Sequence, residues 1–201
     1  MTTLPYPVIQ LKKGKERSLL QKHPWVFSGA IHQEPKTLEE GAVVQVHSWD
    51  NKYLATGHFH KGTITVRCFD FTGKIIDNEL FSSKIQQAIQ LRKKINLPSS
   101  VTNCYRLIHG EGDGFPGLII DIYGNTAVMQ CHTKGMYQHR MQLTEVLRTS
   151  IADLSAVYDK SAETMSKHGG ISAGDTYLWQ SEGYSPTEFV IENGLKYHVD
   201  F

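Results

Sequence analysis

The sequence predicts an α+β protein in which a helix connects a small β-barrel to a second, mixed domain. Three observations support this prediction. Short alternating segments separated by turn residues fill the first third of the chain, as in small barrels. Near residue 77 the apolar period changes to that of a helix, and from residue 104 strand-like segments return. We therefore expect a barrel over 1–76, a connector helix over 77–98 and an α+β domain over 99–201.

The composition excludes several classes of protein. The 201 residues include 40% apolar residues and carry a net charge of +1, which is unlike collagen or low-complexity disorder. No apolar segment approaches the ~18–20 residues of a membrane span, and the N-terminus does not resemble a signal peptide. The three cysteines are widely spaced and form no C-x-x-C pair, which argues against a disulfide framework or a thiolate zinc site. We predict a cytoplasmic protein with no membrane partner.

Positive charge is concentrated near the N-terminus. Residues 1–75 have a net charge of +4, and residues 76–201 have a net charge of −3. Residues 12–22 contain one acidic residue, Glu16, and five basic residues: Lys12, Lys13, Lys15, Arg17 and Lys22. Such a segment serves either as the solvated face of a short helix before Pro24 or as a contact to phosphates.

The aromatic segment HPWVFSGAI follows these cations directly. An aromatic ring can stack on an unpaired base, and small residues let a nucleic-acid backbone approach. The Trp25 and Phe27 rings could instead be buried in the barrel core, and for these two residues we favour burial. For the lysines we favour contact with RNA. The predicted RNA-binding residues are Lys12, Lys13, Lys15, Arg17, Lys22, His23, Trp25 and Ser28.

The elements of the predicted barrel and connector follow from periodicity. The barrel strands are Ala42–His47, Tyr53–His58 and Thr63–Phe69. The connector is an amphipathic helix over Asp77–Leu97 that stops before Pro98. Its apolar face is Phe81, Ile85, Ala88, Ile89 and Ile95.

The second domain is predicted from the same signals. A helix over Met136–Ile151 places Met136, Leu143, Leu147 and Ile151 on one face, and residues 160–186 are expected to form a loop. The predicted strands are Tyr105–His109, Gly117–Tyr123, Thr126–His132 and Ala156–Asp159.

The segment FVIENGLKYHVDF predicts a hairpin, because Asn193-Gly194 suits a type I′ turn. We expect Phe189 and Ile191 to share the apolar face of Leu195, Tyr197, Val199 and Phe201. The alternation still continues at Phe201, so we expect further chain to follow.

Several other motifs carry weaker signals. Gly112–Gly117 fits G-x-G-x-x-G, but a strand follows it where a cofactor loop would open a helix, so we expect a tight turn. Glu111, Asp113 and Asp121 could act as catalytic carboxylates, although turn chemistry is the favoured interpretation. His58 and His60 share a strand face with no evident third metal ligand. We predict no catalytic, cofactor-binding or metal-binding residue in this chain.

Four segments resemble one family. GKERSLLQKHPWVFSGAI (14–31) is similar to the start of the PUA domain in bacterial 23S rRNA 5-methylcytosine methyltransferases of the RlmI type. YRLIHGEGDGFPGLIIDIYGN (105–125) resembles a second signature of that family, and VYDKSA (157–162) weakly resembles a third. The closing ENGLKYHVDF resembles the hairpin that precedes the catalytic domain. The sequence departs from the family at Phe115, at Lys160 and at 167–170.

The resemblance implies the N-terminal part of a three-part enzyme that binds ribosomal RNA. A PUA domain and a central α+β domain would precede a Rossmann-like domain that binds S-adenosylmethionine, and this last domain is expected to lie outside the chain. The sequence therefore predicts an RNA-positioning fragment that is itself inactive. The alternatives are a stand-alone RNA-binding module and a small hydrolase that uses the three carboxylates.

Overall fold

A computed structural model of the chain describes residues 4–167, 174–186 and 189–201. The chain divides into two compact units. The first unit contains residues 1–76 together with 134–138, and the second contains 77–133 together with 139–201. None of the helices in the described ranges has the length and apolarity needed to cross a lipid bilayer.

The first unit is built on a curled six-stranded sheet. The strand order is β2-β6-β5-β4-β1-β3, with β1 and β4 parallel and the other neighbours antiparallel. The described strands leave two edges, at β2 and β3, so the barrel expected from the sequence is observed as a curled sheet. The strands are β1 (Val8–Leu11), β2 (Trp25–Phe27), β3 (Ile31–Gln33), β4 (Val43–His47), β5 (Tyr53–Phe59) and β6 (Ile64–Asp70); two short helices, α1 (Arg17–Leu20) and α3 (Lys134–Gln138), complete the unit.

Alternation along these strands builds the core of the first unit. Because successive side chains point to opposite faces of a sheet, every second residue of β1 and β6 is directed inward. The cluster includes Ile9, Leu11, Leu19, Val26, Val44, Val46, Ala55, Phe59, Val66 and Cys68. Leu19, from α1, is the contribution of the basic segment to this core.

The second unit contains a five-stranded sheet in the order β11-β10-β9-β8-β7. Strands β9 and β10 are parallel, and the other neighbours are antiparallel. A two-stranded hairpin follows at the C-terminal end. The strands are β7 (Cys104–His109), β8 (Leu118–Tyr123), β9 (Thr126–Cys131), β10 (Ala156–Asp159), β11 (Thr176–Gln180), β12 (Phe189–Glu192) and β13 (Leu195–His198); the helices are α2 (Asn78–Lys94), α4 (Arg140–Ser150) and α5 (Ala162–Ser166).

Helix α2 begins where the sequence predicts but ends earlier. Asp77 caps it, since its Oδ1 accepts a hydrogen bond from the backbone N–H of Leu80 at 2.9 Å. The predicted Phe81, Ile85 and Ala88 are buried. The prediction for Ile95 is wrong, because the helix ends at Lys94 and the Ile95 side chain is 62% exposed.

The helix predicted over Met136–Ile151 is two helices, α3 and α4. The chain leaves helical geometry at His139, whose ψ is 2°. Met136 and Leu143 are both buried but belong to different units, so no single helical face contains them. One apolar period can therefore conceal two helices that pack on separate cores.

The loop predicted over 160–186 contains helix α5 and strand β11, so this prediction is wrong. Ala156 pairs with Gln180 and Asp159 with Thr176, which makes β11 an edge strand with partly exposed side chains. An edge strand of this kind shows no apolar alternation. Of the departure from the family noted at 167–170, residues 168–170 lie outside the described residues.

The C-terminal hairpin has the predicted turn, but the residues that share a face of the hairpin are not the predicted ones. Asn193 and Gly194 have φ values of 51° and 81°, as a type I′ turn requires. The turn pairs Glu192 with Leu195 and Val190 with Tyr197, so Val190 is the buried residue and Phe189 is 43% exposed. The predicted grouping of Phe189 and Ile191 with Tyr197 is wrong because residues paired across strands share a face.

Candidate nucleic-acid interface

The basic segment, residues 12–22, begins where β1 ends. Gly14 adopts a φ of +79°, and the backbone N–H of Lys15 donates to the carbonyl of Lys12 at 3.1 Å, which closes a turn before α1. Leu19 is 2% exposed and anchors the short helix, while the next residue, Leu20, is 70% exposed. A single buried anchor thus presents the remaining side chains of the segment to solvent.

The cations of this segment are all exposed. Lys12 is held in place, because its Nζ donates to the carbonyl of Gly29 at 3.0 Å. Within the described part of the chain, no carboxylate lies at ion-pair distance from the other four: Lys13, Lys15, Arg17 and Lys22. Their charge is available to an anionic partner.

The aromatic residues that follow form a row along β2. Trp25 stacks edge-on with His23 at 5.8 Å and with Phe27 at 6.3 Å between ring centroids. Val26 is 3% exposed whereas Phe27 is 45% exposed and Trp25 is half-buried. The favoured interpretation of Trp25 and Phe27 as core residues is therefore wrong, because alternation on this edge strand directs Val26 inward and the rings outward.

Arg67 joins this row although the sequence gives no sign of it. The pairing of β2 with β6 places Trp25 opposite Arg67, and the Arg67 guanidinium lies 5.8 Å from the centroid of the Trp25 ring. A cation at this distance from an indole ring is attracted to it. The contact depends on strand pairing between distant segments, which periodicity alone does not reveal.

Ser28, the last of the predicted residues, begins a 3-10 turn over Ser28–Ala30. Its backbone N–H donates to the carbonyl of Thr63 at 2.9 Å, and its side chain is exposed. Since Lys12 binds the adjacent Gly29, the turn connects the end of β2 to the basic segment. The structure thus brings Lys12, Ser28, Trp25 and His23 to neighbouring positions of one unit.

The carboxylates of the second unit have a different setting. Asp113 accepts two hydrogen bonds from Arg92, at 2.5 and 2.7 Å, and a third from the backbone N–H of His109 at 2.6 Å. Burial alone would raise the pKa of Asp113, but the hydrogen bonds from Arg92 and His109 and the charge of Arg92 outweigh it and lower the pKa. This carboxylate is held as the anion in a bidentate ion pair, which suits a structural role.

Asp121 has a similar partner. Its two oxygens accept hydrogen bonds from Arg106 at 2.8 and 3.0 Å. Two of the three carboxylates considered for catalysis are thus paired with arginines, and this pairing weighs against the hydrolase alternative.

The glycine loop 112–117 is a turn between strands β7 and β8, as the sequence predicts. Gly114 and Gly117 adopt φ values of 73° and 81°, and Phe115 between them is fully buried. The loop leads into strand β8, whereas a glycine loop that binds a phosphate or carboxylate would open a helix.

The two histidines of β5 and its end have ordinary packing partners. The His58 ring lies 4.6 Å from the ring of Phe69, and His60 Nδ1 lies 2.9 Å from Glu40 Oε1. In the ranges that the structure describes, no group of three or more His, Cys, Asp or Glu side chains could hold a metal ion.

Two of the three cysteines are buried. Burial raises the pKa of the Cys68 and Cys131 thiols to about 12, so both are neutral at physiological pH. A neutral buried thiol is a poor nucleophile.

Comparisons with known proteins found a family model, curated relatives and solved structures that are similar to this chain. A family model described as a PUA-like domain matches residues 9–71. Ribosomal RNA large subunit methyltransferase I of Vibrio cholerae is 35% identical over 96% of this chain and 48% of its own length. The proteins of that name from Pseudoalteromonas atlantica and Salmonella paratyphi B are 33% and 36% identical, over 48% and 43% of their lengths.

A solved structure shows the same fold. A candidate SAM-dependent methyltransferase from Streptococcus mutans superposes with a TM-score of 0.75 at 22% identity, covering 95% of this chain and 47% of that one. The chain spans about half the length of the curated relatives that it matches. Residues 9–71 thus match a PUA-like family model, and the chain is similar, over nearly all of its own length, to about half of the ribosomal RNA large subunit methyltransferase I proteins.

Proposed function

We propose that this chain is the N-terminal, RNA-binding and positioning portion of a SAM-dependent methyltransferase that modifies a cytosine of ribosomal RNA in the cytoplasm. The observation that carries the proposal is the set of exposed cations that have no carboxylate partner among the described residues, beside the aromatic row of a PUA-like unit. Cations neutralise phosphates, and exposed rings accept unpaired bases.

The eight predicted residues would have three roles: contact with phosphates, stacking on a base, and stabilisation of the turn between these two groups. Lys13, Lys15, Arg17 and Lys22 would contact phosphates and set the position of the RNA without reading its sequence. His23 and Trp25 would accept a base by stacking. Lys12 and Ser28 would hold the turn that joins the two groups.

Methyl transfer would belong to a catalytic domain elsewhere in the same polypeptide. The names of the relatives support this division, because they are methyltransferases about twice as long as this chain. S-adenosylmethionine would bind in that domain and supply the methyl group. This chain would contribute affinity and orientation.

Binding of ribosomal RNA fragments by the 201-residue chain, followed over a range of salt concentrations, tests the first half of the proposal. If three to four cations meet phosphates, log K should fall against log salt with a slope of roughly −2 to −4. Affinity that does not depend on salt would contradict the proposal. A reading frame that continues past codon 201 into a SAM-binding domain would support the second half, and a stop codon there would favour a stand-alone module.

A further inference from the structure

An exposed aromatic pair lies in the first unit, at the end of the sheet that contains β1 and β3. Trp49, in the turn between β4 and β5, is 44% exposed, and its ring centroid lies 4.5 Å from that of His32 in β3. The two rings meet edge to face at an angle of 71°, and the His32 side chain is also exposed. Neither residue is among the eight predicted RNA-binding residues.

Hydrogen bonds fix the turn that carries Trp49. The Ser48 N–H donates to the carbonyl of Lys52 at 2.9 Å, and the Lys52 N–H donates to Ser48 Oγ at 3.0 Å. The side-chain amide of Gln10, in β1, donates to the Trp49 carbonyl at 2.9 Å and to Asn51 Oδ1 at 3.1 Å. Because the backbone beneath the indole is held both within the turn and from β1, a ligand on the ring would have little backbone to order.

Strand β1 connects the aromatic pair to the basic segment. Ile9 and Leu11 are buried in the core, so the alternation of the strand directs Gln10, and then Lys12, to the other face. Lys12 continues the ladder, since its N–H donates to the carbonyl of Ala30 at 2.8 Å. Two residues of a strand span roughly 7 Å. The first cation of the basic segment therefore lies next to the residue that holds the Trp49 turn.

The charges around the pair indicate where a phosphate would lie. The turn itself is neutral, because Asp50 Oδ2 lies 2.8 Å from Lys52 Nζ and Asp50 Oδ1 accepts a hydrogen bond from Ser48 Oγ at 2.6 Å. Glu34, which follows β3, is exposed and would repel a phosphate. The attraction for phosphates thus comes from the side of Lys12 and the basic segment, whereas the aromatic pair offers an uncharged stacking surface.

We propose that Trp49, with His32 beside it, is a stacking site for an unpaired base of an RNA strand whose phosphates follow the basic segment. The inference rests on the proposed RNA-binding function and deepens it, because the cations would then be flanked by two stacking sites, the aromatic row along β2 and the pair at Trp49. Proteins bind single-stranded nucleic acid by combining cations with exposed rings, since every base has a face that can stack.

Trp49→Leu tests the proposal, because leucine keeps an apolar side chain beside His32 but has no ring face. Tyr197→Ala is the matched control, since it removes a ring of nearly the same exposure, 47%, from β13 in the second unit. The probes are an oligoadenylate of about ten nucleotides, within the usual range of single-strand site sizes, and an abasic strand with the same phosphates. Fluorescence anisotropy at low salt measures binding, and thermal melting checks that each variant is folded.

The effect should be confined to the strand that carries bases. We expect Trp49→Leu to bind the oligoadenylate about tenfold more weakly than the wild type, because stacking one base on an aromatic ring contributes about that much. Its affinity for the abasic strand and its salt dependence should equal those of the wild type, since no phosphate contact is removed. Trp49→Phe restores a ring and should recover most of the loss, and Tyr197→Ala should bind both strands as the wild type does.

The outcomes separate this inference from the proposed function. Wild-type affinity of Trp49→Leu for the oligoadenylate, an equal loss for both strands, or the same loss in Tyr197→Ala would overturn the stacking site and leave RNA binding intact. A wild type that binds ribosomal RNA fragments but does not prefer the oligoadenylate to the abasic strand would do the same. Failure of the wild type to bind any of these RNAs at low salt would overturn the proposed function and this inference together.

Discussion

Charged side chains cluster in two regions of this protein, and the regions differ in how the charges are satisfied. In the basic segment the cations are exposed, and four of them have no carboxylate partner within the described residues. In the glycine loop, Asp113 pairs with Arg92 of helix α2; their side chains are only 5% and 11% exposed, and they neutralise each other. The first arrangement keeps charge available to a partner, and the second uses charge to fix a turn.

The largest effect should come from breaking the buried pair. We expect Asp113→Ala to lower the free energy of unfolding by about 3–5 kcal/mol, because it leaves the Arg92 guanidinium buried without its counter-charge. Denaturant unfolding measures this loss, and RNA affinity of the folded variant should stay within about twofold of the wild type. As a control, Arg148→Ala removes an exposed pair with Glu145 and should change stability far less, because solvent screens an exposed pair. A large loss of RNA affinity at unchanged stability would show that Asp113 is part of the interface.

Substitutions in the basic segment should have the opposite effect: they should weaken RNA binding and leave the free energy of unfolding nearly unchanged. Reversing Lys13 and Lys15 to Glu should weaken RNA binding more than tenfold and flatten its salt dependence, because two phosphate contacts become repulsive. Stability should change by less than ~0.5 kcal/mol, since both side chains are exposed. Reversal of Lys93 and Lys94, at the exposed end of α2, is the matched control and should affect binding less. Equal affinities of the wild type and the Lys13/Lys15 double reversal at low salt would refute the assignment.

In strand β2, a buried residue, Val26, stands next to an exposed one, Phe27, so substitutions of the two can be compared directly. Val26→Ala should destabilise the first unit by about 1–2 kcal/mol, because it removes buried methyl groups. Phe27→Ala should cost less than ~1 kcal/mol, since the ring is largely on the surface. Thermal melting of the two variants decides which residue belongs to the core, and the reverse order would restore the interpretation of Phe27 as a core residue.

The pH dependence of stability should show two smaller effects of opposite sign. The pKa of Asp113 is lowered below its usual 3.8, so its stabilising contribution is complete above pH 3.8 and is lost as the pH falls below that value. Burial raises the pKa of Asp159, against the opposing hydrogen bond from Ser161 and the charge of Arg140, so ionisation of Asp159 costs stability as the pH rises above 3.8.

Unfolding free energies of Asp113→Asn and Asp159→Asn between pH 3 and 6 measure these two effects. Asp113→Asn should lose less stability than the wild type as the pH is lowered toward 3. Asp159→Asn should lose less stability than the wild type as the pH is raised above about 4. Parallel pH profiles for the two variants would contradict the opposite shifts.

Local signals predicted much of the fold. Asn193-Gly194 specifies its own turn, and Asp77 caps α2, because both depend only on neighbouring residues. The apolar face of α2 was also correct from Phe81 to Ala88, since burial follows the helical period until the helix ends.

What the sequence could not provide depends on contacts between distant segments. The outward direction of Trp25 and Phe27 follows from the pairing of β2 with β6, and β11 is a strand only because β10 offers it an edge. The cation–π contact of Arg67 and the ion pair of Arg92 with Asp113 arise in the same way. The cationic half of the candidate site could be found from charge alone, whereas the exposure of Phe27 and the contact of Arg67 with Trp25 required three-dimensional structure.

Helix α3 gives the first unit a discontinuous primary structure. Gly135 lies so close to His58 of β5 that no side chain could replace its hydrogen, and the fully buried Met136 belongs to the same unit. A gene segment that ends at residue 76 would therefore encode an incomplete domain, because it would lack the packing contacts that residues 134–138 supply. Recombination could exchange this unit between proteins only if the segment 134–138 moved with it. The unit is thus less modular than its contiguous family match suggests, and we expect it to be inherited together with the residues up to 138.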